Sequence, residues 1–126
     1  MIKVKISSVF VTDQAQAEKF YTDVLGFIKK ADVPVGEHRW LTVGNPDTDF
    51  ELSLEPNQHP AAKHYQKAIF EDGIPATMFY VDDIDFEYES LKSKGVSFKS
   101  EPKEFGGVKL ATLNDTCGNW IALCQL

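Results

Sequence analysis

Two stretches of this sequence share one grammar, and a chain built on such a repeat is constrained to fold as two like modules. From Val9 to Phe27 the residues read as a strand end, a helix and the start of another strand, all within about twenty residues. Asp13 is placed to accept a hydrogen bond from the free N–H groups of the first helical turn. Ala17, Phe20, Tyr21, Val24 and Leu25 fall on one helical face, and Gly26 supplies a left-handed stop. Tyr80 to Val96 repeats the pattern: Val81 and Asp83 stand for Val11 and Asp13, Ile84, Tyr88 and Leu91 form the apolar stripe, and Gly95 takes the place of Gly26. The first helix is one residue longer.

With 126 residues the chain has the length of one domain, so the two modules, 1–55 and 74–126, are expected to form a single domain joined by a linker at 56–73. Apolar residues make up 43% and charged residues 25%, a balance that predicts a globular protein rather than a disordered one. No segment approaches membrane-spanning length, and Met-Ile-Lys-Val-Lys-Ile enters a strand at once without the features of a secretory signal, so the cytoplasm is the expected location. A net charge of −6 without a Lys/Arg-rich run argues against nucleic acid or an anionic membrane as partner and favours a small neutral or cationic ligand. Cys117 in a turn and Cys124 on a strand have no zinc-like or redox spacing and read as reduced structural thiols.

Alternation over Val4 to Val11 puts Ile6, Ser8 and Phe10 on one side of a strand and Val9 and Val11 on the side that meets the helix. Strands are predicted at Phe27 to Ala31, His38 to Val43 and Phe50 to Leu54, with a proline-stiffened loop over Asp32 to Gly36 and an antiparallel hairpin between the last two. His38, Trp40 and Thr42 share a face, as do Glu51, Ser53 and Glu55. A short helix starts at Pro60 and ends before Gly73. In the second module strands are expected from Pro75 to Val81, Val96 to Ser100, Lys109 to Leu113 and Asn119 to Gln125, with a turn at Gly106-Gly107. Each module is therefore βαβββ, and the fold class is α+β. One helix covers only one face of a four-stranded sheet, so two curved mixed sheets with helices outside would leave a concave inner cavity for binding or chemistry.

These residues resemble the vicinal oxygen chelate superfamily, which groups glyoxalase I, extradiol dioxygenases, fosfomycin-resistance enzymes and bleomycin-resistance proteins. The resemblance rests on Val11-Thr-Asp13, Phe20-Tyr21-Thr-Asp-Val-Leu-Gly26-Phe27, Val81-Asp82-Asp83-Ile84-Asp85 and Asp115-Thr-Cys-Gly118-Asn119-Trp-Ile, and it spans nearly the whole chain. It implies a divalent ion held by four inward side chains on the first and last strands of each module, places that fall here on Ile6, Glu51, Ala76 and Ala122. Only Glu51 offers a ligand atom, fewer than the three or more protein ligands that such ions need. The resemblance also implies a homodimer.

The expectation is thus a protein that binds a small molecule without a metal or other cofactor, as the bleomycin-resistance proteins do. Phe10, His38, Trp40, Met78, Tyr80 and Trp120 would form its aromatic and apolar walls, and Glu51 its polar anchor and best catalytic candidate. Plain core packing would explain the same walls, and Glu51 could instead bond Arg39 or face water. A second reading is a lyase or dioxygenase-type enzyme with a divalent ion on Glu51, His38 and Glu55, with His59 and His64 on the linker nearby. A third is a structural or regulatory subunit whose cavity is filled by its own side chains. Gly-x-Ser-x-Gly is absent and neither cysteine has a histidine near it in sequence, so nucleophilic hydrolysis is not expected.

Overall fold

The computed structural model describes residues 1–126, and the chain divides into two compact units, Met1–Lys63 and His64–Leu126. Both have the predicted βαβββ order, and each carries one four-stranded mixed sheet.

In the first unit β1 (Ile6–Val11) is followed by α1 (Gln14–Lys19), which runs on into a π-helical turn over Phe20–Val24. The strands β2 (Ile28–Val35), β3 (His38–Gly44) and β4 (Glu51–Pro56) complete a sheet of order β1-β4-β3-β2. Asp13 caps α1 by accepting from the Gln16 N–H at 3.0 Å. The wider π turn takes up the residue by which this helix exceeds its counterpart, since each such turn accommodates one extra residue. Gly26, at φ 86°, still ends the segment in the left-handed conformation that glycine adopts without steric cost. Val9, Val11, Leu41, Val43, Leu52 and Leu54 bury themselves with Ala17, Phe20 and Tyr21. Alternation along the strands leaves a second face without a helix.

The strand expected to end at Ala31 continues to Val35 and turns through Gly36 and Glu37 into β3, with Val35 opposite His38. Pro34 does not break it because β2 is an edge strand, where a missing N–H need cost no ladder bond. A register shift between Lys29 and Ala31 marks a local irregularity. On the helix side, Arg39 pairs with Glu18 and Asp32, and Lys29 bridges the same two carboxylates at 3.1 and 2.9 Å.

In the second unit β5 (Thr77–Tyr80), α3 (Ile84–Ser93), β6 (Lys103–Phe105), β7 (Val108–Asn114) and β8 (Trp120–Gln125) give a sheet of order β5-β8-β7-β6. Asp83 caps α3 through the Phe86 N–H at 3.1 Å, and Ile84, Tyr88 and Leu91 are its buried residues. The strand expected at Val96 to Ser100 is not formed. Val96 is buried, Phe98 packs edge-on to Tyr88 at 4.8 Å, and this segment touches the sheet through a single bridge from Phe98 to Leu113. Packing against α3 thus outweighs strand propensity, and pairing moves to β6, set by the two-residue turn Gly106-Gly107 between Phe105 and Val108.

The remaining helix, α2 (Pro60–Glu71), carries the boundary between the units. Its buried Gln66 donates to the carbonyl of Cys117 at 3.0 Å and to Oδ1 of Asn119 at 3.1 Å. Asp115, fully buried, accepts from the Cys117 N–H, the Asn119 N–H and the Asn119 side-chain amide, so the β7–β8 turn is built around one carboxylate. No helix is long and apolar enough to cross a membrane.

Candidate functional site

The helix-free face of the first sheet gathers five of the residues singled out in the sequence. Parallel pairing sets Ile6, Ser8 and Phe10 beside Glu51, Ser53 and Glu55, and antiparallel pairing sets Thr42 beside Ser53. Trp40 and His38 continue that row on β3, opposite Val33 and Val35 of β2. The result is a hydroxyl-lined floor, two carboxylates and an indole on one surface. Trp40 is 45% exposed, whereas Thr42 and Ser53 are buried.

The two floor hydroxyls hold the two carboxylates. Thr42 donates to Oε1 of Glu51 at 2.6 Å, and Ser53 donates to Oε2 of Glu55. Glu51 therefore does not bond Arg39, whose guanidinium lies across the sheet with Glu18 and Asp32. The Arg39 guanidinium, seconded by Lys29, holds Asp32 below the usual carboxylate range, and it is also the main cause of the lowered Glu18. Thr42 and Ser53 were legible as members of this face by parity, but nothing in their spacing marked them as partners of Glu51 and Glu55.

In the second unit Met78, Tyr80 and Trp120 also share the face opposite α3, with Ala122, Cys124, Thr112 and Leu110. Met78 and Tyr80 are 43% and 66% exposed. Trp120 is committed to packing: it stacks on Phe70 at 5.1 Å, donates its indole N–H to the Phe70 carbonyl, and has the Lys99 ammonium 5.4 Å from its ring centre. His59 accepts from the Ala61 N–H at the start of α2, and His64 is exposed on the same helix.

The donor set does not suit the divalent ion of the resemblance. Ile6 pairs with Glu51, and in the second unit Ala122 stands between Met78 and Thr112. The registers further show that the place of Ala122 is taken in the first unit by Ser53, because Thr42 pairs with Ser53 as Thr112 pairs with Ala122; Glu51 lies two residues before it. Isoleucine and alanine have no lone pair, and no three His, Cys, Asp or Glu side chains converge as a metal ligand set would.

Two βαβββ units, each with a partly aromatic sheet face turned away from the helix that follows its first strand, define a glyoxalase-like protein, and the comparison with known families agrees. The model of the Glyoxalase/Bleomycin resistance protein/Dioxygenase superfamily matches residues 4–123, and the chain belongs to that superfamily. It is 56% identical over 126 residues to the uncharacterized protein YurT of Bacillus subtilis (strain 168), a match covering 98% of this chain and 99% of that one. Among solved structures it is similar to UcmS2, with a TM-score of 0.85 and 31% identity over 100% of this chain and 99% of that one. TnmS3, an antibiotic-binding protein from Streptomyces sp. CB03234, superposes with a TM-score of 0.78 and 29% identity, covering 99% of this chain and 96% of that one.

Proposed function

We propose that this protein binds a small, partly aromatic, neutral or cationic molecule on the helix-free face of its first sheet. The observation that carries the reading is that exposed Trp40 shares that face with Glu51 and Glu55, each carboxylate held by a buried floor hydroxyl. An indole face offers stacking and cation–π attraction, and a fixed carboxylate offers a charge-assisted hydrogen bond. Phe10 and His38 border the same surface. The net charge of −6 favours a cation over an anion. The antibiotic-binding character of TnmS3 supports the same class of function.

The binding needs no metal, Glu51 serves as polar anchor, and the protein acts in the cytoplasm as a homodimer. Sedimentation equilibrium tests the dimer. The binding face is tested by calorimetry with three planar probes of one size: a tricyclic aromatic cation such as proflavine, its neutral analogue and an anionic analogue. The cation is expected to bind most tightly, and Glu51→Gln to weaken it at least tenfold. A wild-type protein that binds none of the three removes the reading.

A further inference from the structure

The internal repeat provides its own control, and the two sheets differ in how their central strands pair. In the second unit β7 and β8 pair without interruption from Lys109↔Gln125 to Asn114↔Trp120, including Leu110↔Cys124. In the first unit the matching strands β3 and β4 pair only at Thr42↔Ser53 and Val43↔Leu52. Continued by two residues, that register would set Trp40 opposite Glu55, the counterpart of Leu110↔Cys124, but the ladder stops short. What stands there is the side chain of Gln14. Its Nε2 donates to the Arg39 carbonyl at 2.7 Å and to the Leu54 carbonyl at 2.9 Å, and its Oε1 accepts from the Arg39 N–H at 3.0 Å. One amide thus satisfies three backbone groups on the facing edges of the two strands, including the Arg39 carbonyl, which the continued register would set opposite Pro56 and its missing N–H. The residue in the same place after the second cap is Ile84, which has no side-chain amide; its backbone N–H donates to the Gln125 side chain at 2.7 Å.

We infer that Gln14 is a positioning residue of the ligand site: a wedge, inserted from the helix side, that holds β3 and β4 apart beneath Trp40 and Glu55 and so sets the spacing between the indole and that carboxylate. The inference rests on the ligand face proposed above. It adds that the width of the gap, and with it the ligand that fits, is fixed by a residue that touches no ligand. Strands brought to ladder distance would draw Trp40 and Glu55 together as a cross-strand pair, and the slot between them would close.

The test uses full-length protein with 5-fluorotryptophan at Trp40 and Trp120, the two ¹⁹F signals being assigned with Trp40→Phe. Gln14→Met keeps the length of the side chain and removes its hydrogen bonds; Gln14→Ile installs the residue found in the second module. Both are compared with wild type for proflavine affinity, ¹⁹F spectrum and melting temperature. The expected result is a loss of affinity of at least tenfold and a shifted Trp40 signal, with the Trp120 signal unmoved. Loss of stability alone would leave both folded-state signals in place. Gln14→Glu, which keeps only the acceptor for the Arg39 N–H, serves if either variant does not fold, and the same losses are expected of it. Unchanged affinity, or an unshifted Trp40 signal in the folded variants, overturns the wedge while leaving the binding face intact. Absence of probe binding to wild type overturns the binding face itself, and the positioning role falls with it.

Discussion

The hydroxyl of Thr42, buried in the floor of the first sheet, donates to Oε1 of Glu51 at 2.6 Å and fixes that carboxylate on the open face. Glutamine at position 51 would keep a carbonyl oxygen for this bond while removing the charge. Glu51→Gln is therefore expected to melt within a few degrees of wild type and to lose at least tenfold in proflavine affinity, about 1.4 kcal/mol. Equal affinities in calorimetry would remove Glu51 as anchor.

The Asp115 carboxylate accepts from three donors within its own turn, at 2.7, 3.0 and 2.8 Å. Asp115→Ala removes the acceptor of two buried backbone N–H groups and of the Asn119 amide, at a cost of about 3 kcal/mol. Gln66→Leu, which removes its bonds to the Cys117 carbonyl and Asn119 Oδ1, is expected to cost about 1–2 kcal/mol. Urea unfolding measures both, and an Asp115→Ala loss below that of Gln66→Leu would contradict the order.

Asp32 and Glu18 lose protons more readily in the folded chain than their usual values of 3.8 and 4.5, with Arg39 the largest cause in each case and Lys29 contributing to both. A depressed carboxyl stabilises the fold above its unfolded pKa, and that contribution disappears as pH falls through the folded value. The stability gap between wild type and a Glu18→Gln, Asp32→Asn variant should therefore be widest near about pH 7 and narrow below about pH 4, and it should shrink with added salt. Denaturant titrations at low ionic strength check this; a gap that widens in acid would contradict the pairing.

Asp13 and Asp83 perform the same task in the two modules, each accepting from the N–H three residues ahead. Replacing either with alanine is expected to cost about 1 kcal/mol, and replacement with serine much less. A large difference between the two alanine variants, read by urea unfolding, would show that the π turn after α1 alters the value of its cap.

The repeat, the two caps, the left-handed glycines and the parity of Phe10, Trp40, Glu51, Met78 and Tyr80 were all legible in the sequence. They depend on spacings within a few residues, and helical or strand periodicity acts over that range. The second strand of the second module was misplaced because Val96 and Phe98 have strand-like alternation, yet Phe98 packs on Tyr88 in α3. Pro34 suggested a loop because the edge position of β2, which makes it harmless, is a property of the whole sheet.

Residue spacing along the chain dictates two βαβββ units and which residues face away from the helices. Tertiary structure alone decided that Arg39 serves Glu18 and Asp32 rather than Glu51, that Ser53 rather than Glu51 answers to Ala122, and that Gln14 parts β3 from β4. Local pattern fixes which way a side chain points. Its partner depends on strand register and helix docking, which bring together residues 25 to 40 positions apart, as Gln14 is from Arg39 and Leu54.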